Sequence, residues 1–172
     1  MKRSIAILSL LLLSVSLTIL AAAERERNAS SAQAQFVGTW ELVSIERRGT
    51  DGEWAPSQGR LAPNPVGMII YDAAGHMAVQ IMNPDRPTFS SDDLSERTVE
   101  ELRGIIAGYV AYFGTYDIDD GGGFVVHHRQ GHLRPNQVGV DAKRFFEFAG
   151  NELTLTVAPA RNVRLTWRRV GG

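Results

Sequence analysis

Residues Tyr109 to Asn136 read YVAYFGTYDIDDGGGFVVHHRQGHLRPN, and the chain reversal inside them decides the fold. Tyr109 to Ile118 is rich in aromatic and β-branched residues, and so is Phe124 to Leu133. Between them lies Asp119-Asp120-Gly121-Gly122-Gly123, a run whose glycines reach positive φ without steric cost. Two strand-like segments around a glycine loop predict a β-hairpin. The acidic start of the loop is not a calcium site. Such a loop needs regularly spaced oxygen ligands, Gly at its sixth position and Glu at its twelfth. Counted from Asp117, the fifth position is Gly121 and the twelfth is His128.

The same alternation extends outward in both directions. Phe36 to Arg48 reads as a first strand. Val66–Tyr71 and His76–Met82 read as a pair joined by the four-residue turn Asp72-Ala73-Ala74-Gly75. After the central hairpin, residues 140–148, 153–157 and 163–169 each alternate apolar and polar side chains at period two. Asp51 to Pro65 and Asn83 to Ser95 are rich in Pro, Gly, Ser and Asp and read as loops. Thr98-x-x-Glu101 fits a helix capping box, and Val99, Leu102, Ile105, Ile106 and Tyr109 follow at helical spacing. Gly104 and Gly108, one turn apart, are expected to let this helix lie close to the sheet and cap an open barrel end. The prediction is an all-β fold: an eight-stranded antiparallel up-and-down barrel with one mid-chain helix. Closure of eight strands removes exposed edges and leaves an interior that side chains fill or that holds one small ligand.

The chain of 172 residues opens with Lys2 and Arg3, an apolar run from Ile5 to Leu20, and the small residues Ala21-Ala22-Ala23. This is the pattern of a secretory signal peptide, so cleavage after Ala23, export to a periplasmic or extracellular space, and no lasting membrane span are expected. Glu24 to Gln35 is polar and aperiodic and reads as a flexible lead, with the barrel domain spanning residues 36–170. The formal net charge is −1 for the whole chain and more negative once Lys2 and Arg3 are removed, which gives no electrostatic case for nucleic acid. The chain holds no cysteine, which excludes disulfides, thiol catalysis, thiolate metal sites and a lipoprotein anchor.

With both end strands and the central hairpin placed, the chain resembles a known family. Gly38-Thr39-Trp40 is similar to the Gly-x-Trp signature of the lipocalins. The longer likeness is to the bacterial and fungal lipocalin-like domain family of the calycin group. It is carried by Gly67–Asp72, Gly75-His76-Met77, Tyr109–Tyr116, His127-His128, Pro135-Asn136 and Leu165-Thr166-Trp167, over nearly all of residues 36–170. The resemblance implies that Trp40 plugs the closed end and that an arginine of the last strand packs over it. Arg169 shares the alternation face of Leu165 and Trp167, so Gly38, Trp40 and Arg169 are expected to be structural. The mid-chain helix, the absent disulfide and the absence of a helix after the last strand depart from typical lipocalins. Their receptor and carrier roles therefore do not transfer.

Adjacent side chains on a strand point to opposite faces, so one of His127 and His128 faces inward. His127 is favoured, grouped with Val125, Gly131 and Leu133; a β-bulge near Gly131 would exchange the two roles. His128 and His132 are expected on one face, about 13 Å apart at 3.3 Å per residue, too far to chelate, so no metal or other cofactor is expected. Tyr112, Gly114 and Tyr116 form the facing set. His76, Asp85 and Arg86 flank the long loop and are expected to meet at the barrel mouth, where Arg86 would hold a ligand carboxylate. The candidate ligand-binding residues are thus His127, Tyr112, Tyr116, Arg86, His76 and Tyr109; no catalytic residue is assigned. These groups suit an exported binder of a small apolar or amphipathic molecule. The alternative is an isomerase or cyclase using a cavity His or Tyr as acid–base. A buried histidine with a carboxylate or tyrosine partner would favour the enzyme, and an apolar cavity the binder.

Overall fold

The computed structural model describes residues 32–171. The signal-peptide pattern and the lead up to residue 31 lie outside them. The chain divides into two compact units at Phe36/Val37. In the first, residues 32–36 are helical, where the sequence reading had a flexible lead and the start of a strand.

The second unit is a closed antiparallel barrel. Its strands are β1 (Gly38–Arg48), β2 (Trp54–Pro56), β3 (Val66–Tyr71), β4 (His76–Met82), β5 (Tyr109–Asp119), β6 (Phe124–His132), β7 (Asp141–Ala149), β8 (Glu152–Val157) and β9 (Val163–Arg169). Neighbours pair in chain order from β3 to β9, and β1 closes the circle by pairing with both β3 and β9. The eight expected strands are the staves. The added β2 is too short to show in the sequence, and it pairs with the outer end of β1, Glu46–Arg48.

The closed end is solid. Trp40, Trp167, Ile69, Tyr71 and Leu153 are almost completely buried there. The Arg169 guanidinium lies 4.1 Å from the Trp40 ring centroid, and its Nη1 donates to the Val37 carbonyl at 2.7 Å. Gly38 has φ +139°, and a Cβ there would sit 2.5 Å from Arg169 Nη1. A side chain at Gly38 would displace the guanidinium and be strained at this φ.

The β5–β6 ladder carries one irregularity that matters for the site. Gly114 pairs with Arg129 and Phe113 with Gly131, so Gln130 is an extra residue. A bulge of this kind shifts everything after it to the other face. Gly114 makes it possible, since a Cβ at that position would collide with the His128 carbonyl oxygen.

At the other end, helix α1 (Val99–Ala107) is capped as expected: Glu101 N–H donates to Thr98 Oγ1 at 3.2 Å, and Thr98 N–H to Glu101 Oε2 at 2.7 Å. No residue of α1 is buried. Its glycines face the preceding loop instead of the sheet: a Cβ on Gly104 would meet Pro87, and one on Gly108 would meet Arg86.

Two stability outcomes follow. Trp40→Ala should cost about 3–5 kcal/mol in urea unfolding, as large core truncations do. Gly114→Ala, which adds one methyl, should cost about 1–3 kcal/mol or more through backbone collision. A Gly114→Ala protein as stable as the parent would contradict the bulge geometry.

Candidate binding site in the barrel lumen

His127 sits at the centre of the inward face of β6, opposite Tyr116 on β5 and Ala142 on β7, and it is 1% exposed. Its Nε2 lies 2.8 Å from Tyr71 Oη and its Nδ1 2.9 Å from Tyr112 Oη. A neutral imidazole has one donor and one acceptor, so one phenol donates to the ring and the other accepts from it. Both nitrogens are satisfied in either tautomer.

Burial pushes the His127 pKa down to about 3, and the nearby Arg144 and Arg129 charges push the same way. Burial raises both phenols. Tyr71 is raised further by Tyr112, while Arg144 and Arg129 partly oppose the rise at Tyr112. At neutral pH the cluster is therefore an uncharged hydrogen-bonded chain, Tyr71–His127–Tyr112. His132 extends it: its ring stacks on Tyr112 at 5.5 Å and 5°, and its Nδ1 accepts from the Arg134 N–H at 2.8 Å.

His128 points outward. It lies between Asp141 (Nδ1–Oδ1 2.8 Å) and Asp117 (Nε2–Oδ2 2.9 Å), and hydrogen bonding to Asp141 leads the causes that raise its pKa. The bulge falls after both histidines, so it leaves their facing intact. It does overturn the expected sharing of a face by His128 and His132. Gly131 now pairs with outward Phe113 and His132 turns to the lumen, while Arg129, before the bulge, shares the inward face of His127. No group of three or more His, Asp or Glu among the described residues could hold a metal ion.

Other expectations fail for reasons of position. His76 opens β4 in the turn at the closed end, where its Nδ1 lies 3.1 Å from Asp72 Oδ2. Arg86 follows the far end of β4, stacks 4.8 Å from the Tyr109 ring and bonds to the Asn83 carbonyl. A whole strand separates them, so they do not meet. Tyr109 faces outward and donates to Gln80 Oε1 at 2.9 Å. Tyr116 does face inward, but its hydroxyl donates to the Asp72 carbonyl and its ring packs edge-on against Tyr71 at 4.9 Å, deep in the closed end.

The lumen is not uniformly filled. Alternation aims Tyr112, Arg144, Phe146, Val157 and Leu165 inward, yet all are only half-buried. At the open end, β1 leaves β3 after Glu41 and takes β2 as its partner, which parts the wall. A cavity of about 550 Å³ lies at this parting, bounded by Ile45, Arg47, Leu61, Val110, Val163 and Ala107 among others. That volume is within the range of small-molecule pockets, about 300–1,000 Å³.

Residues 37–170 match the lipocalin-like domain family, and the chain belongs to it. A comparison with curated proteins finds no match. Among solved structures, the chain is similar to a lipocalin-like protein from Bacteroides uniformis (11% identity, 78% of this chain and 98% of that one, TM-score 0.42). It is also similar to the fluorescent protein UnaG (19% identity, 80% and 98%, TM-score 0.36) and to a fatty acid transporter (13% identity, 81% and 98%, TM-score 0.35). Among the described residues, no helix is long and apolar enough to cross a membrane.

The depressed His127 pKa ties stability to pH. In the unfolded chain a histidine titrates near 6.5, so between there and about 3 the unfolded state binds the extra proton. His127 therefore contributes stability above about pH 6.5, lost as pH falls, at a slope approaching about 1.4 kcal/mol per pH unit. His128, raised in the fold, acts oppositely: its contribution is present below about 6.5 and lost as pH rises through its folded value. Urea unfolding of wild type and His127→Gln from pH 6 to 4.5 should show the steeper slope only in wild type. Parallel slopes would contradict a neutral buried His127.

Proposed function

We propose that this protein is an exported binder that holds one small apolar or amphipathic molecule in the barrel lumen. The observation that carries the reading is the contrast along the barrel axis. One end is packed solid around Trp40 and Trp167, while inward side chains above it are only half-buried and a cavity lies at the parted wall. Apolar groups such as Leu155, Leu165, Phe146 and Val157 would wall the ligand, and Tyr112 would give it one polar contact. His127 would act through Tyr112, fixing the direction of that hydroxyl. Export is supported by the basic, apolar and small-residue segments of residues 1–23.

His127 does have the tyrosine partners that would favour an acid–base enzyme. Its pKa of about 3 argues the other way, because a general base works best with a pKa near the operating pH. Tyr71 and Tyr112, both raised, hold their protons at neutrality.

The neutral fluorophore phenylnaphthylamine tests the reading by titration. Wild type should bind it. Val163→Trp, which fills the mouth cavity, should abolish binding while leaving the protein folded. His127→Ala should weaken binding of a ligand that contacts Tyr112 by about 1–3 kcal/mol, because it leaves a buried partner unpaired. His128→Ala should change it by less than about 0.5 kcal/mol. Equal effects of the two histidine variants, or unchanged binding by Val163→Trp, would reject the lumen as the site.

A further inference from the structure

Two arginines reach the lumen, each two residues beyond a buried inward residue: Arg129 after His127 on β6 and Arg144 after Ala142 on β7. Arg144 lies on β7 between Ala142 and Phe146, paired across with Val125 and Val157, all inward positions. Arg129 stands opposite Gly114, the residue that permits the bulge, and its guanidinium is 5.9 Å from the Tyr112 ring. Each is held by a backbone carbonyl: Arg129 Nε donates to Val140 and Arg144 Nη1 to Lys143. A guanidinium has five N–H donors, so most remain available.

Neither arginine forms an ion pair with a carboxylate among the described residues, whereas Arg164 and Arg168 on β9 have Glu46 and Glu152. The reason is topological. Every Asp and Glu of the eight staves falls on an outward position, for example Asp117 opposite Val126 and Asp141 opposite His128. The neutral His127 supplies no counter-charge. Two cations that feel each other's field, Arg129 partly offset by Asp141 on the outer face, are thus set beside an uncharged polar cluster with no carboxylate inside the lumen. Partly desolvated charge without a partner is costly, and an anion supplied by a ligand would remove that cost.

We infer that the lumen ligand carries an anionic group, a carboxylate or sulfonate on an apolar body, held between Arg129 and Arg144 with Tyr112 beside it. This rests on the lumen-binding reading above and adds its charge specificity. The guanidinium fork matches the paired oxygens of such a group. Leu155, Leu165 and Phe146 face the apolar body. The polar end would point towards the β6–β7 wall, and the molecule would extend towards the mouth.

Two fluorophores of the same ring system separate the two claims: phenylnaphthylamine, which is neutral, and anilinonaphthalene sulfonate, which adds one sulfonate. Wild type at low salt should bind the sulfonate at least about tenfold more tightly than the neutral probe, the gain expected of charge-assisted hydrogen bonds. Arg144→Gln and Arg129→Gln should each erase most of that preference while leaving affinity for the neutral probe nearly unchanged, and Arg144→Lys should keep part of it. Equal wild-type affinity for the two probes overturns the anion site while leaving the lumen reading intact, and it needs no variant that must fold. A preference that survives in both folded glutamine variants overturns it as well. Binding of neither probe overturns the lumen reading and this inference together.

Discussion

Strand β1 must be paired along both edges for the barrel to close, and it does so by dividing its length. Gly38 to Glu41 bonds to β3, while Glu46 to Arg48 bonds to β2, and β9 runs along the opposite edge throughout. The first half of this arrangement builds the closed end, because it brings Trp40 against Arg169 and sets Gly38, at positive φ, beside the guanidinium. The second half parts the wall between β1 and β3 and creates the mouth cavity. One strand therefore makes the barrel solid at one end and accessible at the other. A container needs both.

Within that frame the lumen is polar in one place only, and the polarity is of two kinds. Tyr71, His127 and Tyr112 satisfy one another, so their burial costs little beyond the loss of ionisation at His127. Arg129 and Arg144 are satisfied only in part, Arg129 by the Val140 carbonyl and Arg144 by the Lys143 carbonyl and Tyr112. The first group reads as architecture that orients a hydroxyl. The second reads as capacity held for something absent from the chain itself. His132 reaches the lumen because Gly114 lets the β5–β6 ladder take in Gln130, so a change with no contact to a ligand would still rearrange the site.

Most of the fold was legible because period-two alternation survives in all eight staves, and turn residues such as Asp72–Gly75 and Gly121–Gly123 mark their ends. The packing of Trp40 with Arg169 and the facing of His127 and His128 followed from the same alternation and from the Gly-x-Trp resemblance. The bulge was not legible. Gly131 signalled some irregularity, but nothing local to β6 says that Gln130 is the extra residue, since its cause is the crowding of Gly114 on a different strand. The inward turn of His132 is therefore not visible in β6 alone, whereas Arg129 shares the alternation of His127. Arg144 shares the alternation of Ala142, Phe146 and Phe148, but one inward arginine defines no site until a second stands beside it. The expected meeting of His76 with Arg86 fails on information already present, since the seven residues of β4 lie between them.

The most direct test of the account is where a ligand touches the protein. Methyl-labelled protein titrated with phenylnaphthylamine and followed by NMR reports this residue by residue. Shifts should concentrate on the inward methyls of Val110, Leu155, Val157, Val163 and Leu165, with Ile70 on the outer face unmoved. Shifts confined to the outer apolar residues would contradict a binding lumen.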